Sequence, residues 1–186
     1  MKYPIGIQSF EKIIENDYVY VDKTDLIYSM VKGGTIYFLS RPRRFGKSLL
    51  VSTLKNYFLG RKELFKGLAI DVLEKDWLTY PVFHIDFNGS DFQEKGTLEK
   101  VIEEYISTWE VAYGILPNPD RDRGMRFIQV LKEAHVRAGR RAVVLIDEYD
   151  KPMLDVLDTQ LETVVDGNKM LLEERNRNVL KGFYSV

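Results

Sequence analysis

Phe38-Leu39-Ser40-Arg41-Pro42-Arg43-Arg44-Phe45-Gly46-Lys47-Ser48-Leu49-Leu50 is the stretch whose reading decides the fold. The apolar residues 35–39 read as a β-strand, and a tight basic loop follows them. From Ser48 the pattern changes to that of an amphipathic helix. Strand, loop, Gly-Lys-Ser and helix, in that order, make a cradle for phosphate groups. Backbone N–H groups at the helix start face the anion, and the helix dipole adds partial positive charge there. Lys47 is placed to reach the outer phosphates of a nucleoside triphosphate, and the Ser48 hydroxyl to ligate Mg²⁺.

The match to G-x-x-x-x-G-K-[ST] departs at one position, where Arg41 stands in place of the first glycine. A residue with a Cβ resists positive φ, so this loop is expected to turn differently, with Pro42 fixing one φ. Gly-Lys-Ser by itself fits a surface turn equally well. The strand before it and the helix after it favour phosphate binding.

Further along, Arg141-Ala142-Val143-Val144-Leu145-Ile146-Asp147-Glu148 is an apolar run ending in two carboxylates. Such a run suits a strand covered on both faces of a parallel sheet. Ligands of α/β sheets bind at the carboxyl ends of strands. There Asp147 would hold the Mg²⁺ water shell and Glu148 would polarise the attacking water. Taken alone, the run is equally a buried strand whose polar exit starts a turn. Taken with the basic loop, it completes a Walker A/Walker B pair, and the expected fold is α/β: a three-layer P-loop NTPase with a mostly parallel sheet.

At these residues a family resemblance becomes specific. The chain resembles the AAA-ATPase-like family of bacterial and archaeal proteins, whose P-loop ATPase domain is often followed by a PD-(D/E)XK nuclease-like domain. The resemblance is carried by Tyr20-Val21-Asp22-Lys23-Thr24, the run from Ser40 to Ser48, Tyr57-Phe58-Leu59-Gly60, and Leu145-Ile146-Asp147-Glu148-Tyr149-Asp150-Lys151-Pro152. In that family Arg41 is the expected residue. The resemblance implies ATP and Mg²⁺ as ligands, with the nucleotide held by Arg41, Pro42, Arg43, Arg44, Phe45, Gly46, Lys47, Ser48 and Leu49. Ser48 and Asp147 would then hold the metal, and Lys47 and Glu148 would act in catalysis. It also implies that residues 20–24 pack against the adenine, although Asp22-Lys23-Thr24 reads equally well as a helix cap. For Arg43 and Arg44 a solvated basic loop suffices, the other reading being contact with phosphates of a neighbouring subunit.

A chain of 186 residues supports one domain with a sizeable core, taken as residues 1–186. The absence of cysteine excludes a disulfide scaffold and thiolate-bound zinc, and fits a cytoplasmic protein. The amino terminus lacks the apolar core of a signal peptide, and no run reaches the length of a membrane span, so no membrane partner is expected. A net charge of −1 argues against general polyanion binding. Residues 1–66 hold 12 basic and 6 acidic side chains, leaving 15 and 22 for the rest. Arg41, Arg43, Arg44 and Lys47 supply part of that basic excess, so a bound triphosphate accounts for it without nucleic acid.

The remaining pattern predicts helices over 9–16, from 22 or 24 to 31, 48–59, 98–113 and 120–137, with a short strand at 18–21 and a short helix and connector over 61–70. Residues 80–87 read as a second sheet strand, with Asp86 either near the site or capping the turn that follows. His84 reads as a packed side chain, and the aromatic stripe of residues 98–113 as core. Residues 152–166 are expected to form a helix with an exposed acidic loop, and 168–183 a final helix. Leu171 stands where the guanine-reading Asn-Lys-x-Asp needs its aspartate, so guanine specificity has no support.

Only three good sheet strands are legible, at 35–39, 81–87 and 142–147. The sheet is therefore expected to be incomplete, lacking a sensor strand, a lid and any nuclease domain, as in a fragment or a natural truncation. Two functions remain: ATP binding with Mg²⁺-dependent hydrolysis, or a nucleotide-gated regulatory module with little turnover. A small-molecule kinase fits the adjacent Asp-Glu pair less well. Expected partners are ATP and a homo-oligomer or fused effector domain, with nucleic acid suggested by family analogy alone.

Overall fold

Ser9 accepts a hydrogen bond from the Lys12 N–H, and that cap opens the first helix of the structure, a computed structural model that describes residues 2–42 and 44–185. The described chain divides into two compact units. One comprises residues up to 84 together with 143–145, and the other residues 85–142 and 146 onward.

The first unit carries α1 (Phe10–Glu15), α2 (Thr24–Gly33), α3 (Lys47–Phe58), a 3₁₀ turn (Lys62–Phe65) and α4 (Ala69–Leu73). Its core is Phe10, Ile27, Leu54, Tyr57, Leu64, Phe65 and Ile70. Phe65 packs between rings, 4.8 Å from Phe10 and 5.1 Å from Trp77, so aromatic faces join the elements. The Ser52 hydroxyl of α3 accepts the Phe10 N–H at 2.9 Å, fastening α1 to α3. Gly60 ends α3 with φ of +70°, and a Cβ there would lie 2.7 Å from Thr79 Oγ1, so both conformation and space require glycine.

The second unit carries α5 (Thr97–Ala112), α6 (Arg123–Ala138), α7 (Lys151–Leu154) and α8 (Leu172–Tyr184). Ile102, Ile106, Phe127, Val130, Ala134, Leu180 and Phe183 are buried. The Trp109, Phe127 and Phe183 rings stack in sequence at 5.3 and 5.1 Å, joining α5, α6 and α8. Between α5 and α6 lies a buried ion pair: Arg126 donates to Glu110 through Nε at 2.9 Å and Nη2 at 2.6 Å, and through Nη1 to Glu103 at 2.6 Å.

Two strands, β1 (Val82–Asp86) and β2 (Val143–Asp147), pair in a small parallel sheet. The Val143 N–H donates to the Pro81 carbonyl, and the Phe87 N–H to the Asp147 carbonyl. A second sheet is the antiparallel hairpin of β3 (Glu162–Val165) and β4 (Asn168–Leu171). The fold is thus mixed α/β.

Three expectations are corrected. Residues 35–39 form no strand. Instead the Tyr37 hydroxyl donates to the Met30 carbonyl in the last turn of α2, which holds the run against that helix end. Ile36 is 92% and Phe38 72% exposed. Strand preference is largely a matter of packing against neighbouring strands, and no described strand pairs with this run. The strand expected at 18–21 is reduced to a single parallel bridge from Tyr18 to Lys2. Finally, the helix expected over 152–166 stops at Leu154, and the one expected from 168 begins at Leu172, because the β-hairpin lies between them. Asp166 and Gly167 both have positive φ, 49° and 80°, as a two-residue type I′ turn requires.

Candidate functional site

The basic loop ends at Gly46, which takes left-handed geometry (φ 75°, ψ 22°) as the N-cap of α3. Arg44 is also left-handed, at φ 67°. Arg41 and Pro42 lie in exposed irregular chain, Arg43 falls outside the described residues, and Phe45 is exposed. Lys47 and Ser48 are the first two residues of α3, partly buried. Leu49 packs against the first unit's core, and its carbonyl accepts the Thr53 hydroxyl at 2.8 Å. The Lys47 ammonium turns back across the loop and donates to the Arg41 carbonyl at 2.7 Å, so the structure brings these two residues together.

No side chain among the described residues caps α3, and its first turn has no acidic residue. In α1 and α6 that function falls to Ser9 and Asp122. An uncapped helix start leaves backbone donors without an internal acceptor, and beside basic side chains the chemistry they suit is that of an anion.

At the other motif, Asp147 is the last residue of β2 and only 7% exposed, and its Oδ1 accepts the Glu148 N–H at 3.0 Å. Glu148 is left-handed, at φ 50°, a conformation that costs a residue with a Cβ roughly 1 kcal/mol or more. Its carbonyl accepts the Lys151 N–H at 3.0 Å, so bonds on both sides hold the turn. Arg41, Pro42 and the residues from Arg44 to Leu49 belong to the first unit, and Asp147 and Glu148 to the second.

The segment expected to pack on adenine has an observed structural task. Asp22 accepts the Thr24 N–H at 2.9 Å, the Thr24 hydroxyl at 2.7 Å and the Ala69 N–H at 2.7 Å, while Thr24 Oγ1 accepts the Ile70 N–H. Burial pushes the Asp22 carboxyl up, but these donors outweigh it and hold it below the ordinary carboxylate range. Asp86 caps its turn by accepting the Asn88 N–H at 2.8 Å. Near Glu148, burial and the charge of Asp150 raise Tyr149.

Lys151, to which sequence reasoning gave no role, is drawn into a cluster with Asp155, Ser90 and Phe92. The i,i+4 spacing of Lys151 and Asp155 was the legible signal for part of it. Among the described residues no group of three or more His, Cys, Asp or Glu is arranged to hold a metal. No helix among them is long and apolar enough to cross a membrane.

A family model described as "Predicted AAA-ATPase" matches residues 4–186. An uncharacterized protein encoded in the vnfD 5′ region of Azotobacter chroococcum mcd 1 is 47% identical over 158 residues, which is 84% of this chain and 30% of that protein. The chain thus spans about a third of that relative's length. No solved structure matches.

Proposed function

The chain belongs to the AAA-ATPase-like family, and from that membership and the loop at the start of α3 we propose that it binds ATP with Mg²⁺ and hydrolyses it. The observation that carries the reading is the helix start itself: left-handed Gly46, no side-chain cap, and an ammonium folded across the loop at Lys47. A triphosphate supplies the missing acceptor for the first-turn N–H groups and a stronger partner for Lys47 than a carbonyl.

In this reading Lys47 donates to the outer phosphate oxygens and stabilises charge that develops there as the terminal phosphoryl group leaves. Glu148 accepts a hydrogen bond from the attacking water and orients it for in-line displacement. The Ser48 hydroxyl and the Asp147 carboxylate are hard oxygen donors that fit Mg²⁺, and these two residues would hold it. When bound, the cation supplies charge neutralisation on the phosphates. We extend the reading to the fold: residues 1–186 act as one P-loop domain of the three-layer α/β type.

A second reading, a nucleotide-gated module with little turnover, draws on the length of the relative. The chain spans 30% of it, which leaves room there for an effector that such a module would control.

Phosphate release under saturating Mg·ATP decides between the readings. Hydrolysis predicts steady release by the wild type and none above background from Glu148→Gln, which still binds ATP. Release unaffected by Glu148→Gln would remove that residue from the chemistry. Binding without release would favour the gated module.

A further inference from the structure

Lys151 is a partly buried cation with three partners. Its Nζ donates to the Ser90 carbonyl at 2.9 Å, pairs with the Asp155 carboxylate, and stands 5.2 Å from the centroid of the fully buried Phe92 ring. Ser90 and Phe92 belong to the loop that follows β1, whereas Lys151 and Asp155 bracket α7, immediately after the turn that contains Glu148. A second tie joins the same segments, because the Gln93 side-chain amide donates to the Asp155 carbonyl at 2.9 Å. An ammonium directs three donors from one atom, and an aromatic face attracts it as well, so one lysine side chain meets all three partners.

We propose that Lys151 is a positioning residue, a latch that ties the loop after β1 to the turn presenting Glu148. The coupling runs through the backbone. Glu148 is held in its left-handed conformation by its N–H bond to Asp147 and by the bond its carbonyl accepts from the Lys151 N–H. The second bond depends on where Lys151 sits, and the side chain of Lys151 is what anchors that residue to Ser90, Asp155 and Phe92. Without the ammonium, Asp155 keeps an unpaired, partly buried carboxylate, and α7 loses the lysine's ties to the loop. The Glu148 turn then relaxes toward ordinary φ, and the carboxylate leaves the direction it now faces. The effect on turnover rests on the ATPase reading, whereas the latch itself does not.

The test is amide hydrogen exchange on wild type, Lys151→Met and Lys151→Arg, with Mg·ATP binding and phosphate release measured on the same samples. In Lys151→Met, amides of residues 88–93 and 148–151 exchange about tenfold faster, while those of α5 keep their protection. Turnover falls about tenfold with the Kd for Mg·ATP within about twofold of wild type, as expected when geometry rather than binding is lost. Lys151→Arg restores most of both. Should Lys151→Met not fold, Gln93→Ala cuts the second tie alone and gives a smaller change at the same amides. Unchanged exchange at residues 88–93 in Lys151→Met, or in Gln93→Ala where that is the variant measured, overturns the latch. An equal fall in exchange protection across α5 overturns it too, since the lysine would then serve general stability. A wild type that binds no ATP overturns the nucleotide reading instead, and the exchange data still decide the latch.

Discussion

Glu74 keeps its charge inside the first unit because four donors converge on it. The Tyr57 hydroxyl lies at 2.5 Å, the Lys32 ammonium at 3.2 Å, and the N–H groups of Lys75 and Asp76 at 3.0 Å each. Burial raises its pKa, but the donors prevail and bring it down to about 2 from an ordinary 4.5. The folded value lies below the unfolded one, so the stabilisation is complete above pH 4.5 and is lost as pH falls toward 2. Acid titration followed by circular dichroism is expected to show loss of stability on the order of 2–3 kcal/mol across that window. Tyr57→Phe removes one donor. It is expected to cost about 1–2 kcal/mol at neutral pH and to move the acid transition upward. An acid transition unmoved in Tyr57→Phe would show that this bond does not set the Glu74 charge. The buried Tyr57 ring in the last turn of α3 therefore has a polar anchor at Glu74.

At the scale of elements, the buried polar join between α5 and α6 centres on the Arg126 guanidinium. Arg126 is 2% and Glu110 1% exposed, and burial of both charges is tolerated because the pair is bidentate and Glu103 satisfies a further donor. Arg126→Ala leaves Glu110 buried without its partner and is expected to cost about 3–5 kcal/mol in denaturant unfolding. A cost under about 1 kcal/mol would mean that water replaces the arginine. The helices themselves were legible: Leu98, Ile102 and Ile106 recur at helical spacing, and all three are buried. The ion pair was not, because arginine and glutamate in a helical pattern read as solvent-facing. The hairpin of β3 and β4 was missed although Asp166-Gly167 is a strong turn signal. The charges that follow Asn168 read as a continuous helix, and that periodicity masked it. Gly167→Ala, at φ 80°, is expected to cost about 1 kcal/mol and to fray that hairpin first, visible as faster exchange at residues 162–171.

For the whole molecule, the stretch that announces the family directly follows a run whose local structure departs from expectation. Residues 40–48 carry wording specific enough to place the chain, and a family match over residues 4–186 bears the recognition out. The strand before them does not form, because a strand exists through its neighbours and a sequence window contains none of them. The loop and α3 need no such partner, since Gly46 sets the turn and the apolar face of α3 packs into the first unit's core. The role given to Lys47 is therefore the point at which the functional account is most exposed. Titration of Mg·ATP into wild type and Lys47→Ala, followed by calorimetry, tests it most directly. The account predicts saturable binding by the wild type and a loss of about 3 kcal/mol, roughly 100-fold in Kd, in Lys47→Ala. Equal affinity in the two proteins, or no binding by the wild type, would contradict it.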